Sequence, residues 1–342
     1  MKKGFEVQFH WIFIMIAGAV ILTFFFTVVT KQQVIASDKL ALKISEDLDA
    51  LLTGASVSKG TAQHIEIPKT GMRFGCSETC ECNFWVGRKS APYKDKYLFA
   101  PPKLEEADLL LWTLDWKLPF RGGNFIYVTN SRTKYFLVYE PGNQQSLNLL
   151  KKITAALSSD LNVENVTTSQ FPILENKEYP FVQFVFLSTT DVNPMEGVHE
   201  SFARQNIRGV RITADGNLLF YSPAGDGWFA TGSAFVNDAE MFGALFASDI
   251  TMYQCNLRNA YGHLYWIAQI YHDRLSGVGS PRCVYSAAQS QLSALINSAN
   301  AVSGGLGTPG FDVNALASVR TLMTQLEQEN KRLLLASCPQ IY

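Results

Sequence analysis

Between Glu6 and Lys31 the chain runs from Val7 to Thr30 without an Asp, Glu, Lys or Arg, and Ile, Phe, Val and Leu dominate it. At about 1.5 Å per residue such a stretch reaches roughly 36 Å as a helix, enough to cross a hydrocarbon core of about 30 Å with some tilt. No later apolar run matches it, because Asp, Arg or His interrupts each candidate. The pattern predicts a single-pass protein with a leader and transmembrane helix over residues 1–30. Trp11 and His10 sit near its amino-terminal edge, where amphipathic rings favour the headgroup level.

After Lys31 the period becomes amphipathic. Leu40, Ile44, Leu48 and Leu51 fall on one stripe, and Lys39, Lys43, Glu46 and Asp47 on another, so the helix is expected to leave the membrane as a stalk. It should stop near Gly54, with Gly, Ala, Ser and Lys residues forming a linker to about residue 61.

Residues 62–130 read as a β-rich part, with short strands at His64 to Ile67, Arg73 to Gly75, Asn83 to Val86, Lys96 to Phe99, Leu109 to Lys117 and Asn124 to Thr129. Leu110, Trp112, Leu114, Trp116 and Leu118 alternate with Leu111, Thr113, Asp115 and Lys117, the mark of a strand with one buried face. Residues 131–235 change to strands alternating with helices, which predicts an α/β layer. Its elements are Tyr135 to Tyr139, a helix at Gln144 to Ser158, Phe181 to Leu187, a short helix at Glu196 to Arg204, and Trp228 to Phe235. A hairpin of Gly209 to Thr213 and Leu218 to Tyr221 turns across Ala214-Asp215-Gly216-Asn217.

Residues 236–342 read as helical, at Asn237 to Ala247, Asp249 to Leu275, Ser286 to Ala299 and Asp312 to Leu335. Asn237 and Asp249 are expected to cap, and Val302 to Gly310 is a loop. Heptad spacing of Leu316, Val319, Met323, Leu326, Asn330 and Leu333 is assigned to packing against the Asp249 to Leu275 helix rather than to a coiled-coil dimer. The fold class is therefore α+β or α/β, behind an anchoring helix.

Lys and Arg number 29 against 30 Asp and Glu, a formal net charge of -1. Nothing global attracts a phosphate backbone, so nucleic acid is excluded as a partner and the lipid bilayer and envelope proteins are the expected ones. Charged residues make up 17% of the chain, below the roughly 25% of a soluble domain. Lys2 and Lys3 before the apolar run oppose Lys31, Lys39 and Lys43 diluted by Asp38, Glu46, Asp47 and Asp49, so flanking charge barely sets the orientation. Two processing sites compete with a permanent leader, cleavage after Ala36, which Val34 and Ala36 fit, and cleavage after Gly4.

Six cysteines fall in two groups, Cys76, Cys80 and Cys82, and Cys255, Cys283 and Cys338. An even number on the outer face of a membrane points to disulfides. The expected arrangement is a close pair within the first group and a bridge from Cys338 to Cys255 or Cys283, with other thiols free. One bond must cross between the groups if all pair. The rival reading is a zinc site in which Cys76, Cys80 and Cys82 supply three thiolates. Their Cys-x3-Cys-x-Cys spacing departs from the Cys-x2-Cys knuckle and from the Cys-x3-Cys-x2-Cys loop of radical SAM enzymes.

The remaining chemistry is sparse, and no catalytic or cofactor-binding residue is assigned. His64, His199, His263 and His272 are scattered without an i, i+4 partner, and read as packed or solvated. Neither a Gly-x-Ser-x-Gly elbow nor a phosphate loop occurs, and Gly225-Asp226-Gly227 leads into a strand and reads as a turn. Glu105, Glu106 and Asp115 are candidates for a carboxylate pair. Tyr253, Tyr261, Tyr265, Trp266 and Tyr271 share one helix and read as core before interface. Asn165-Val166-Thr167 is a glycosylation sequon.

Lys2-Lys3-Gly4 ahead of an apolar helix resembles the class III leader of type IV pilins. Those proteins carry Glu at the fifth mature position, where this chain has Phe9. Gly4-Phe5, Gln8-Phe9-His10-Trp11-Ile12-Phe13, Tyr253-Gln254-Cys255-Asn256 and Ser337-Cys338-Pro339-Gln340-Ile341-Tyr342 together resemble a family of archaeal single-pass membrane proteins along the whole chain. That resemblance implies an address and no activity. The expectation is a membrane-anchored structural or interaction protein with its bulk outside the cell, in its sharper form a pilin-like assembly component. The alternatives are an envelope enzyme whose cleft between the β-rich and α/β parts gathers His199, Glu200 and Asp226, and a cytoplasm-facing zinc protein.

Overall fold

The computed structural model describes the chain apart from residues 1–3, 59, 61, 69–70, 94, 106–107, 177, 189–192, 278–281 and 306–310, and apart from the side chains of residues 4–10. Its first element, α1 (Gly4–Val57), is one unbroken helix of 54 residues, about 81 Å long at 1.5 Å per residue. From Trp11 to Leu40 its side chains are almost all exposed; from Ala41 one face is buried in the head.

That face carries Ala41, Ile44, Ser45, Leu48, Leu52 and Ala55. Leu40 and Leu51, expected on the buried stripe, remain 43% and 37% exposed. The stripe is rotated because Ala41, Ser45 and Ala55 let the helix backbone approach a sheet closely, and small residues carry no weight in a count of large apolar positions.

The β-rich part forms two four-stranded sheets. In the first, β1 (Ala62–Glu66), β7 (Asp108–Lys117), β8 (Arg121–Thr129) and β5 (Tyr97–Phe99) lie in the order β1-β7-β8-β5. The second has the order β4-β3-β2-β6, from β2 (Met72–Cys76), β3 (Cys82–Val86), β4 (Lys89–Pro92) and β6 (Lys103–Leu104). The short β4 and β6 were not anticipated. The first sheet is covered on both faces. Leu109, Leu110, Leu111, Trp112 and Thr113 of β7 are all buried, so the expectation of one buried face fails over this half of the strand. Thr113 and Asn124 turn toward α1, donating to the Ser58 carbonyl and to those of Ala55 and Ser58, whereas Trp112 and Trp116 turn toward the carboxy-terminal helices.

The α/β part is a six-stranded sheet in the order β10-β9-β11-β12-β13-β14. Its strands are β9 (Thr133–Tyr139), β10 (Val163–Thr167), β11 (Phe181–Leu187), β12 (Ile207–Ile212), β13 (Asn217–Ala224) and β14 (Gly227–Ala234). β9, β10, β11 and β12 are parallel neighbours, and β12, β13 and β14 form an antiparallel meander. The helix α2 (Gln144–Ala156), capped by Asn143, supplies the crossover between β9 and β10. The expected hairpin turn is present, and Gly216 adopts φ +93 there, with the Arg320 guanidinium where a Cβ would sit. No α-helix spans Glu196 to Arg204. Two 3-10 turns, Pro194–Gly197 and Arg204–Asn206, replace it, because Pro194 starts the first turn and Gly197 ends it after one winding.

Four helices complete the chain, α3 (Asp238–Phe246), α4 (Ile250–Ser276), α5 (Ser286–Ser303) and α6 (Val313–Leu335). Asn237 and Asp249 cap α3 and α4, accepting from the Glu240 and Met252 amides. The main helical neighbour of α6 is α5, and α5 in turn lies on α4. The expected direct α6–α4 seam is thus occupied by the intervening helix. One hydrophobic core runs from Ala41 to Ile341 through all these parts, and a second smaller one fills the far face of the six-stranded sheet around Phe136, Phe171, Phe184 and Phe202.

Candidate functional site

Three features stand out from the packed head: the bare half of α1, the disulfides and the surface cavities. Trp11, Phe13, Met15, Leu22, Phe24 and Phe26 are each at least 63% exposed. An apolar surface this long has no partner within the described residues, and the helix has the length and composition to cross a membrane. Between Thr30 and Ala41 lies about 16 Å of helix at 1.5 Å per residue, the separation between the end of the apolar run and the first residue buried in the head.

All six cysteines are paired, as Cys76–Cys82, Cys80–Cys255 and Cys283–Cys338. The expectation of free thiols is corrected. Cys80 takes φ +61 at the turn between β2 and β3, which carries its sulfur away from its sequence neighbours and onto α4. The bond within the first group and the Cys338 bridge are both present, the latter to Cys283. Cys76, Cys80 and Cys82, the thiolates a zinc site would share, stand here in two separate disulfides. Among the described residues no group of three or more His, Cys, Asp or Glu is arranged to hold a metal.

His199, Glu200 and Asp226 do line one cavity of about 400 Å³, together with Glu196, Arg204 and Trp228. It lies at the β14 edge of the six-stranded sheet rather than between the parts. His199 Nδ1 accepts from the Ser201 amide at 3.2 Å and lies 3.0 Å from Ser201 Oγ, so a neutral ring carries its proton on Nε2. The cleft between the β-rich and α/β parts is a different cavity of about 280 Å³, lined by Arg73, Lys103, Glu105, Asn130 and Arg208. There Lys103 pairs with Glu105, and Arg208 donates to the Ile207 carbonyl at 2.7 Å; burial pulls the Arg208 pKa down.

The other candidates disperse. Asp115 pairs with Lys117 and Arg121, so it and Glu105 share no site, and Glu106 lies outside the described residues. His64 stands 3.8 Å from Asp160, and His272 3.4 Å from Asp273. Asn165 is exposed on the edge strand β10. The aromatic cluster of α4 divides, with Tyr253 and Tyr261 fully buried and Trp266 63% exposed.

A third cavity, of about 720 Å³, went unread in the sequence. Cys80, Asp95, Tyr97, Arg258, Asn259, Gly262, His263, Trp266 and Ser303 line it, from four separate stretches of chain. The one signal available was Trp266 itself, an aromatic residue on the polar stripe Asn259, His263, Trp266 of a helix whose opposite face is buried. No family model, curated protein or solved structure matches this chain.

Proposed function

We propose that the chain is a single-pass, membrane-anchored protein with its head outside the cytoplasm, serving a structural or interaction role at the cell envelope as a pilin-like assembly component. The observation that carries this reading is the single helix α1, apolar and exposed over its first half and built into the head over its second. Only lipid or other apolar helices satisfy such a surface, since each exposed large side chain forgoes roughly 1.5–3 kcal/mol of burial. The three disulfides support an oxidising compartment. Phe9 in place of the pilin Glu means that any assembly of these helices proceeds without a carboxylate at that position, with Glu6 and Gln8 the nearby polar residues.

The test is the intact mass of protein from native membranes, alkylated under denaturing, non-reducing conditions. Absence of alkyl groups supports an external head, and loss of residues 1–4 supports the pilin-like form. Six alkylated cysteines on an unprocessed chain overturn both and direct attention to zinc at Cys76, Cys80 and Cys82.

The gathering of His199, Glu200 and Asp226 in one cavity favours a second reading, an envelope-anchored enzyme. Fold grammar adds nothing to it, because α/β layers host many activities. Hydrolysis of simple ester or phosphate substrates that disappears in His199→Ala would establish this reading, and the absence of turnover would remove it.

A further inference from the structure

We propose that the cavity framed by Trp266, His263, Asn259, Arg258 and Asp95 binds neutral pyranose sugars of a glycan chain. A pyranose presents a face of C–H groups and a rim of hydroxyls. Its recognition therefore calls for a flat apolar platform beside a mixed set of hydrogen-bond donors and acceptors. Trp266 supplies the platform. Its indole is 63% exposed and is braced edge-on by Tyr265, ring centroids 4.9 Å apart. The turn of α4 below it has Gly262, which leaves the floor bare.

The rim holds both signs of polarity. Arg258 offers donors only, Asp95 acceptors only, and Asn259 and His263 offer both. A phosphate or carboxylate would favour a rim of donors, and a cation a rim of acceptors. Here the guanidinium and the carboxylate offset one another, which selects an uncharged polar ligand.

The rim is also set in place before any ligand arrives. Arg258 donates through Nε to the Ser303 carbonyl at 3.3 Å, and its Nη1 lies 3.5 Å from Cys80 Sγ, in the bond to Cys255 one turn earlier on α4. His263 Nδ1 stands 3.2 Å from the Tyr97 hydroxyl. Burial, with Asp95 nearby, pushes the Tyr97 phenol upward, so that it keeps its proton. Among the described residues the side chains of Asp95 and Asn259 make no hydrogen bond or ion pair, leaving them available to hydroxyls. The volume falls within the roughly 300–1,000 Å³ of small-ligand sites.

A second copy of the chain docking on Trp266 and the exposed Ile270 is the competing occupant. An apolar partner would desolvate Asp95 and Asn259 without replacing their water, a cost greatest for the carboxylate, and this favours the sugar.

The experiment is saturation-transfer NMR and calorimetry on the full chain in a sugar-free zwitterionic detergent, with gluco-, manno- and galacto-configured trisaccharides as probes. At least one should bind saturably below about 10 mM. Trp266→Ala and Asn259→Ala should each weaken it about tenfold or more, roughly 1.4 kcal/mol or above. Phe229→Ala, which removes an equally exposed ring on β14, should change nothing. Absence of saturable binding to all probes, or binding that survives Trp266→Ala in a protein of unchanged melting temperature, overturns the proposal. So does self-association that depends on Trp266 in the absence of sugar binding. None of these outcomes depends on which side of a membrane the head occupies.

Discussion

The indole N–H of Trp116 donates to Oε1 of Glu240 at 2.9 Å, tying the central strand β7 to the first turn of α3 inside the main core. The same oxygen accepts from the Tyr261 hydroxyl at 2.9 Å, and Oε2 accepts from the Val236 amide at 2.6 Å. A fully buried carboxylate thus gathers three donors, from β7, from α4 and from the turn that precedes α3. Burial raises its pKa against the opposing pull of those donors.

Glu240→Gln keeps the shape and turns one amide N–H toward a donor. It should destabilise the head by about 1–3 kcal/mol. The raised pKa adds a sign. Its stabilising contribution is fully present below the unfolded value of about 4.3 and is lost as pH rises through the folded value. The gap in melting temperature between the parent and Glu240→Gln should therefore be widest near pH 4 and shrink toward pH 8. A gap that widens with pH would contradict this.

Disulfides rank by the chain they enclose. The sequence separations are 175 for Cys80–Cys255, 55 for Cys283–Cys338 and 6 for Cys76–Cys82. On the chain-entropy account their contributions stand near 5, 4 and 2 kcal/mol, each about. Pairwise Cys→Ser variants should lose thermal stability in that order, and non-reducing peptide mapping should recover these three pairs.

Along α1, the rotation of the buried stripe is directly measurable. Leu52→Ala, at a fully buried site, should cost about 2–5 kcal/mol. Leu40→Ala should stay within about 0.5 kcal/mol. Losses at Leu40 and Leu51 that match the loss at Leu52 would restore the stripe expected from large residues alone.

Membrane insertion should fail in steps. Each Arg placed at Val20 or Ile21 adds about 2.5–3.5 kcal/mol to insertion. The double variant should move the protein from the carbonate-resistant membrane fraction to the soluble one, or into aggregates, with the head still folded.

Long elements with strong periodicity were readable: the apolar run of α1, the strand around Trp112, the hairpin at Asp215-Gly216, and the caps Asn237 and Asp249. Misreadings share a physical origin in tertiary partners. Leu111 and Thr113 are buried because α1 covers a face that alternation assigns to water. β4, β6 and β10 are short edge strands whose pairing, rather than composition, makes them strands. Cysteine pairing is set by which turn meets which helix, and Cys80 meets α4. The Trp266 cavity joins one face of α4 to Cys80, Asp95, Tyr97 and Ser303 from distant segments, so the spacing along α4 alone could not announce it.

The disulfides all lie within the head, and none reaches α1. A pull on α1 is thus borne by the packing of Ala41 to Ala55, by the ion pairs of Asp38 with Lys89 and Asp49 with Lys96, and by the hydrogen bonds of Thr113 and Asn124 to the Ala55 and Ser58 carbonyls. A pull applied along α1 should open these contacts one after another from the Asp38 end, while the cross-linked body keeps its shape. Peeling from Ala41 to Val57 pays out about 24 Å of helix at 1.5 Å per residue.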